Sequence, residues 1–139
     1  MFKRFIAFAA LSLATIIAFA EQCPSVDQIR TNHLAGWKTL DSEDNTALTT
    51  RRLSQFRLKA EQFVLAEWAT QPDSKKTGMM RCYYRDKNGS TLEAYLVKSN
   101  FIPAEAGRWY EVSGAMQCAE GNEACQFKQL VTQTRLAKK

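Results

Sequence analysis

Apolar residues gather first in one block, Phe5 to Phe19, preceded by Lys3 and Arg4 and closed by Ala18-Phe19-Ala20. A basic start, a short apolar run and a small-x-small ending make a secretory signal peptide, with cleavage expected after Ala20. The run is fifteen residues long, thirteen of them apolar, shorter than the roughly 20 that cross a bilayer, so no integral membrane span is expected after cleavage.

Past this block the apolar spacing shortens and changes period. In CPSVDQIRTN, Ser25 stands three positions before Gln28, the spacing of a capping box, and Val26 and Ile29 share one side, which predicts a short helix from Ser25. HLAGWKTL, His33 to Leu40, sets Leu34 and Trp37 about a glycine and fits a strand, whereas DSEDNTALTT has no apolar period and reads as an exposed loop. From Leu53 to Ala69 two periods overlap. Leu53, Phe56, Ala60, Phe63 and Val64 recur at helical spacing, while Phe63, Leu65 and the residues up to Trp68 fit a strand. The reading favoured is a helix or irregular segment to about Ala60 and a strand from about Gln62 to Thr70. QPDSKKTG, punctuated by Pro72 and Gly78, reads as a turn.

The strongest local pattern is GMMRCYYRDKNGSTLEAYLVKS. Asn88-Gly89 predicts a hairpin with a type I′ turn, because both central residues of that turn need positive φ and these two tolerate it. A two-residue loop sets Lys87 opposite Ser90, Tyr84 opposite Glu93, Cys82 opposite Tyr95 and Met80 opposite Val97. That register puts Met80, Cys82, Tyr84, Tyr95 and Val97 on a core face. The other face then holds Met79, Arg81, Tyr83, Arg85, Leu92, Ala94 and Leu96, apolar in the middle and flanked by arginines. Such a face calls for a cover, either a helix of the same domain or a partner. Arg81, Tyr83, Arg85, Leu92 and Leu96 are the expected interaction surface.

After the hairpin, FIPAEAGRWYEV predicts a loop through Pro103 and Gly107 and a strand beginning at Trp109 and Tyr110. GAMQCAEGNEACQFKQLV predicts two short strands about a small loop, and the basic residues from about Thr132 a frayed tail. The expectation is an α+β fold: a small antiparallel sheet built on a central hairpin of about residues 79–98, with one or two short helices. Removal of residues 1–20 leaves 119 residues, the size of one domain, expected over 21–131 with a flexible tail at 132–139.

All four cysteines, Cys23, Cys82, Cys118 and Cys125, follow the signal. An even count in an oxidising compartment points to two disulfides. Three pairings are possible, and closeness in sequence favours Cys118 with Cys125, leaving Cys23 for Cys82. A redox dithiol lacks its C-x-x-C pair, and a zinc site lacks its ligand spacing. Gln22 directly before Cys23 opposes a lipid anchor, which needs a small residue there.

Charge excludes more than it assigns. Cleavage leaves 17 basic against 14 acidic residues, a net of +3 that suits a solvated surface better than a nucleic-acid footprint. His33 is the single histidine, too few for a histidine-activated nucleophile beside bridged cysteines. Glu61, Glu67 and Glu93 are the acids that a small hydrolase could pair, and Trp37, Trp68 and Trp109 the aromatics that a carbohydrate binder could gather. Solvated charges and a small aromatic core account for the same residues. No cofactor is implied.

An exported chain of this size that opens CPSVDQI, continues with GW, carries GMMRCYY before a hairpin and ends with a spaced cysteine pair resembles the EirA-type small periplasmic proteins of intracellular gammaproteobacteria. The likeness spans about Cys23 to Leu130. It implies a periplasmic protein associated with Dot/Icm type IV secretion and needed for replication in the host cell. It implies a supporting role through contacts with envelope or secretion-system proteins or with further copies of itself, and no catalytic residues.

Overall fold

Ser25 accepts a hydrogen bond from the Gln28 N–H at 3.1 Å, and the Gln28 side chain accepts one from the Ser25 N–H at 2.8 Å. This capping box starts helix α1, Val26–Arg30, whose Ile29 is fully buried. Strand β1 follows at Lys38–Asp41, and helix α2 at Thr50–Lys59, capped by Thr49 and turning Phe56 inward. The overlap of periods after Leu53 resolves as helix then strand: α2 ends at Lys59 with Ala60 as its cap, and β2 begins at Gln62 and runs to Gln71. The computed structural model describes residues 20–71 and 74–130, so the expected signal peptide and basic tail lie outside the described residues.

Strand β3, Ser74–Arg85, begins earlier than the turn read over QPDSKKTG allows, because the β2–β3 ladder continues to a Gln71–Ser74 pair. Strand β4 spans Thr91–Ser99. Then come β5 at Phe101–Pro103, β6 at Tyr110–Val112, β7 at Ala115–Cys118, a 3₁₀ turn at Asn122–Ala124 and β8 at Phe127–Gln129. Six strands form one antiparallel sheet in the order β1-β4-β3-β2-β7-β6, and β5 and β8 form a second, two-stranded sheet. The β3–β4 hairpin is central, and the α+β class stands as expected.

The register of that hairpin differs from the expected one. Asp86 closes on Ser90 around the three residues Lys87 to Gly89, with the Asp86 N–H donating to the Ser90 carbonyl at 2.9 Å. Gly89 has φ +83°, but Asn88 is not among the residues with positive φ, so the turn is not type I′. The Asp86 carboxylate causes this by accepting the Asn88 and Ser90 N–H groups at 2.9 and 3.0 Å. One extra loop residue flips every β4 side chain. A further shift between Tyr83 and Arg85 adds two residues to β4, which keeps the parity, so Cys82 faces Leu96 and Tyr83 faces Tyr95.

The core lies on the face that carries Ala66, Met80, Cys82, Tyr84, Ala94 and Leu96. Phe56 of α2 and Phe63 meet the Tyr84 ring edge-on, and Phe101 and Phe127 bring the small sheet onto the same side. Both disulfides have the favoured pairing, Cys23–Cys82 and Cys118–Cys125, and all four cysteines are buried. The first ties the N-terminal segment to the middle of β3, where Tyr84 also donates to the Pro24 carbonyl at 2.5 Å. Burial raises the pKa of the Tyr84 hydroxyl, so it stays a donor. Trp68 lies across Gly78 and donates to the Phe101 carbonyl at 2.6 Å, and a Cβ at Gly78 would come within 1.9 Å of the indole. No helix among the described residues is long and apolar enough to cross a membrane.

Candidate functional site

Antiparallel neighbours point to the same side of a sheet, so the strand register defines what the second face presents. One row crosses all six strands: Lys38, Val97, Arg81, Glu67, Gln117 and Tyr110, each paired with the next. A second row beside it is Leu40, Tyr95, Tyr83 and Leu65. Residues of α1, α2 and the small sheet enter the core cluster on the opposite side. Among the described residues, no helix packs on these two rows.

The middle of the face is an aromatic and charged cluster. The Tyr83 and Tyr95 rings lie 5.4 Å apart, and the Arg81 guanidinium stands 5.4 Å over the Tyr95 ring. Tyr95 is almost fully buried and donates its hydroxyl to Asn45 Oδ1 at 2.6 Å. Burial of the half-covered Tyr83 raises its hydroxyl pKa, and the Glu67 carboxylate adds to the rise.

Arg81 is poorly satisfied within its own chain. Its Nε is buried without a hydrogen-bond partner, and its nearest guanidinium nitrogen is 3.9 Å from Glu67, a loose ion pair. Glu67 instead accepts a bond from Gln117 Nε2 at 2.9 Å. At the rim, Tyr110 and Val112 on β6 are 44% and 37% exposed.

Of the five residues expected on the interaction surface, Arg81, Tyr83 and Arg85 are on this face, with Arg85 bonded to the Gln62 side chain. Leu96 is not; it is fully buried in the core, and Leu92 packs against the same core from the rim. The shifted register turns Tyr95 and Val97 toward this face in their place, although both are almost fully covered there. Lys38, Gln117 and Tyr110 escaped the sequence reading because their strands join the hairpin only through long-range pairing. The alternation within each short strand was their one trace in the sequence.

The remaining candidates are dispersed. Glu61 pairs with Arg30 at 2.6 Å where α2 meets β2, Glu67 lies on the open face, and Glu93 lines a groove of about 340 Å³ between α2 and β4. Arg52 and Asp86 also line that groove, but Arg52 pairs with Asp41 and Asp86 holds its own turn. His33 is exposed with Nδ1 2.7 Å from the Thr31 hydroxyl. Trp37, Trp68 and Trp109 pack against the core rather than converging at the surface. Among the described residues, no group of three or more His, Cys, Asp or Glu side chains is placed to hold a metal ion. Comparison with family models, curated proteins and solved structures finds no match to this chain.

Proposed function

We propose that the chain is an exported, disulfide-bonded periplasmic protein that works by contact with other proteins and supports a type IV (Dot/Icm) secretion system, and with it replication inside a host cell. The reading assigns it no reaction. One observation carries the contact role: a six-stranded sheet with one face on the core and the other presenting Arg81, Tyr83 and Glu67 beside the buried Tyr95, with no described helix over them. Aromatic residues and arginine are the types enriched where proteins meet. Two bridges joining all four cysteines suit an oxidising compartment. The link to secretion rests on the likeness of CPSVDQI and GMMRCYY to the EirA-type proteins.

Crosslinking in the periplasm, followed by pull-down and mass spectrometry, tests the contact role. Wild-type protein should capture envelope or secretion-system proteins, and Arg81→Glu combined with Arg85→Glu should reduce that capture several-fold while disulfide mapping stays unchanged. Equal capture by the double variant would refute the reading.

A further inference from the structure

The open face is complementary to itself. Its central row has six members on six strands, and the midpoint falls between Arg81 on β3 and Glu67 on β2. A two-fold axis running along the strands at that midpoint lays β3 over β2 of a second molecule, β4 over β7 and β1 over β6. The row then meets its own reverse: Arg81 meets Glu67, and Lys38 meets Tyr110. A two-fold axis across the strands would instead set Arg81 against Arg81.

We propose that this face pairs with a second copy of the chain, sheet against sheet, about a two-fold axis between β2 and β3. The inference rests on the contact role proposed above and names the partner that covers the face. Four features of the single chain fit it. The Arg81 side chain is 31% exposed and makes only a 3.9 Å approach to its own Glu67, so the outer end of its guanidinium is free to take a closer carboxylate from a second copy. Tyr110, 44% exposed at the sheet edge, gains the Lys38 ammonium over its ring. In the neighbouring positions Tyr83 comes over Leu65 and Met79 over Ala69, large side chains on smaller ones, as interdigitating sheets require. Val112 falls near a cavity of about 400 Å³ lined by Gly36, Lys38, Leu40, Met79 and Val97. The interface is isologous, so every contact occurs twice.

Sedimentation of the purified mature chain provides the test, because it contains no other protein. Wild type should show a concentration-dependent dimer. Arg81→Glu alone and Glu67→Arg alone should each raise the dimer dissociation constant by about tenfold or more, since each sets like charges together twice. Mixing the two variants should restore dimers, now heterodimers, because both cross-chain contacts between positions 81 and 67 then join opposite charges again. A wild-type monomer at all concentrations up to the solubility limit overturns the proposal, as does a mixture of folded variants that stays monomeric. Either result leaves the pull-down to judge the contact role by itself. Conversely, unchanged capture by the Arg81 and Arg85 variant beside a wild-type dimer would fault the contact role alone.

Discussion

Asp41 is the one charged residue that is buried among those described, at 7% exposure. Its carboxylate accepts the Glu43 and Asp44 N–H groups at 2.8 and 3.3 Å and pairs with Arg52 at 2.5 Å, which fastens the end of edge strand β1 to α2. The Glu43 N–H bond first, and the Arg52 contact after it, hold its pKa below the ordinary 3.8. A lowered folded pKa means that the unfolded chain binds the proton more tightly. The contribution is therefore complete above about pH 4 and fades as pH falls through the folded value. Asp41→Asn should lower the urea midpoint at pH 7, and the gap to wild type should narrow as pH falls below about 4. A gap that stays constant from pH 7 to pH 2 would show that the charge is not what matters. Composition had placed Asp41 at the head of an exposed loop. Its burial follows from Arg52, which lies a helix away in sequence and gives no local sign of pairing.

At the scale of elements, the β3–β4 turn decides which residues the protein shows. Two backbone N–H groups depend on the Asp86 carboxylate, so Asp86→Ala should cost about 1 kcal/mol, read from urea unfolding, with the fold retained. A variant as stable as wild type would mean that Gly89 alone holds the turn. The hairpin itself was legible in Asn88-Gly89, but its parity was not. Asp86 competes by drawing the Asn88 N–H to its side chain, and the loop gains one residue. A two-residue loop with positive φ at both positions does occur in this chain, at Ser113 and Gly114 between β6 and β7. That parity separates a surface centred on Leu92 and Leu96 from the observed one centred on Arg81 and Tyr83. Helix α2 and the switch to β2 near Ala60 were only partly readable, because helical and strand periods overlap from Leu53 to Ala69 and left a helix or an irregular segment open before the strand.

At the scale of the molecule, the sheet closes through contacts between distant parts of the chain. β7 pairs with β2, the strand beside the hairpin, from far along the chain, and Glu67 reaches Gln117 across 50 positions of sequence. Local pattern has no access to that order. The cysteine pairing was accessible, because nearness favoured Cys118–Cys125 and left one partner for Cys23, and both bridges are present. They stabilise different things. Cys23–Cys82 closes a separation of 59 residues and anchors the N-terminal segment under β3, whereas Cys118–Cys125 closes 7 and holds β7 against the 3₁₀ turn. If the main effect is the loss of freedom in the unfolded chain, the long bridge stabilises by about 4 kcal/mol and the short one by about 2.5 kcal/mol. Replacing Cys23 and Cys82 together by alanine should then lower the melting temperature more than replacing Cys118 and Cys125 together. The short bridge nevertheless sits at the strand that carries Gln117 and supports β6 with Tyr110, so its loss should weaken self-association while leaving most of the stability. Equal melting shifts for the two pairs would reject the chain-entropy account. Unchanged self-association without the short bridge would show that β6 and β7 hold their place on the open face without it.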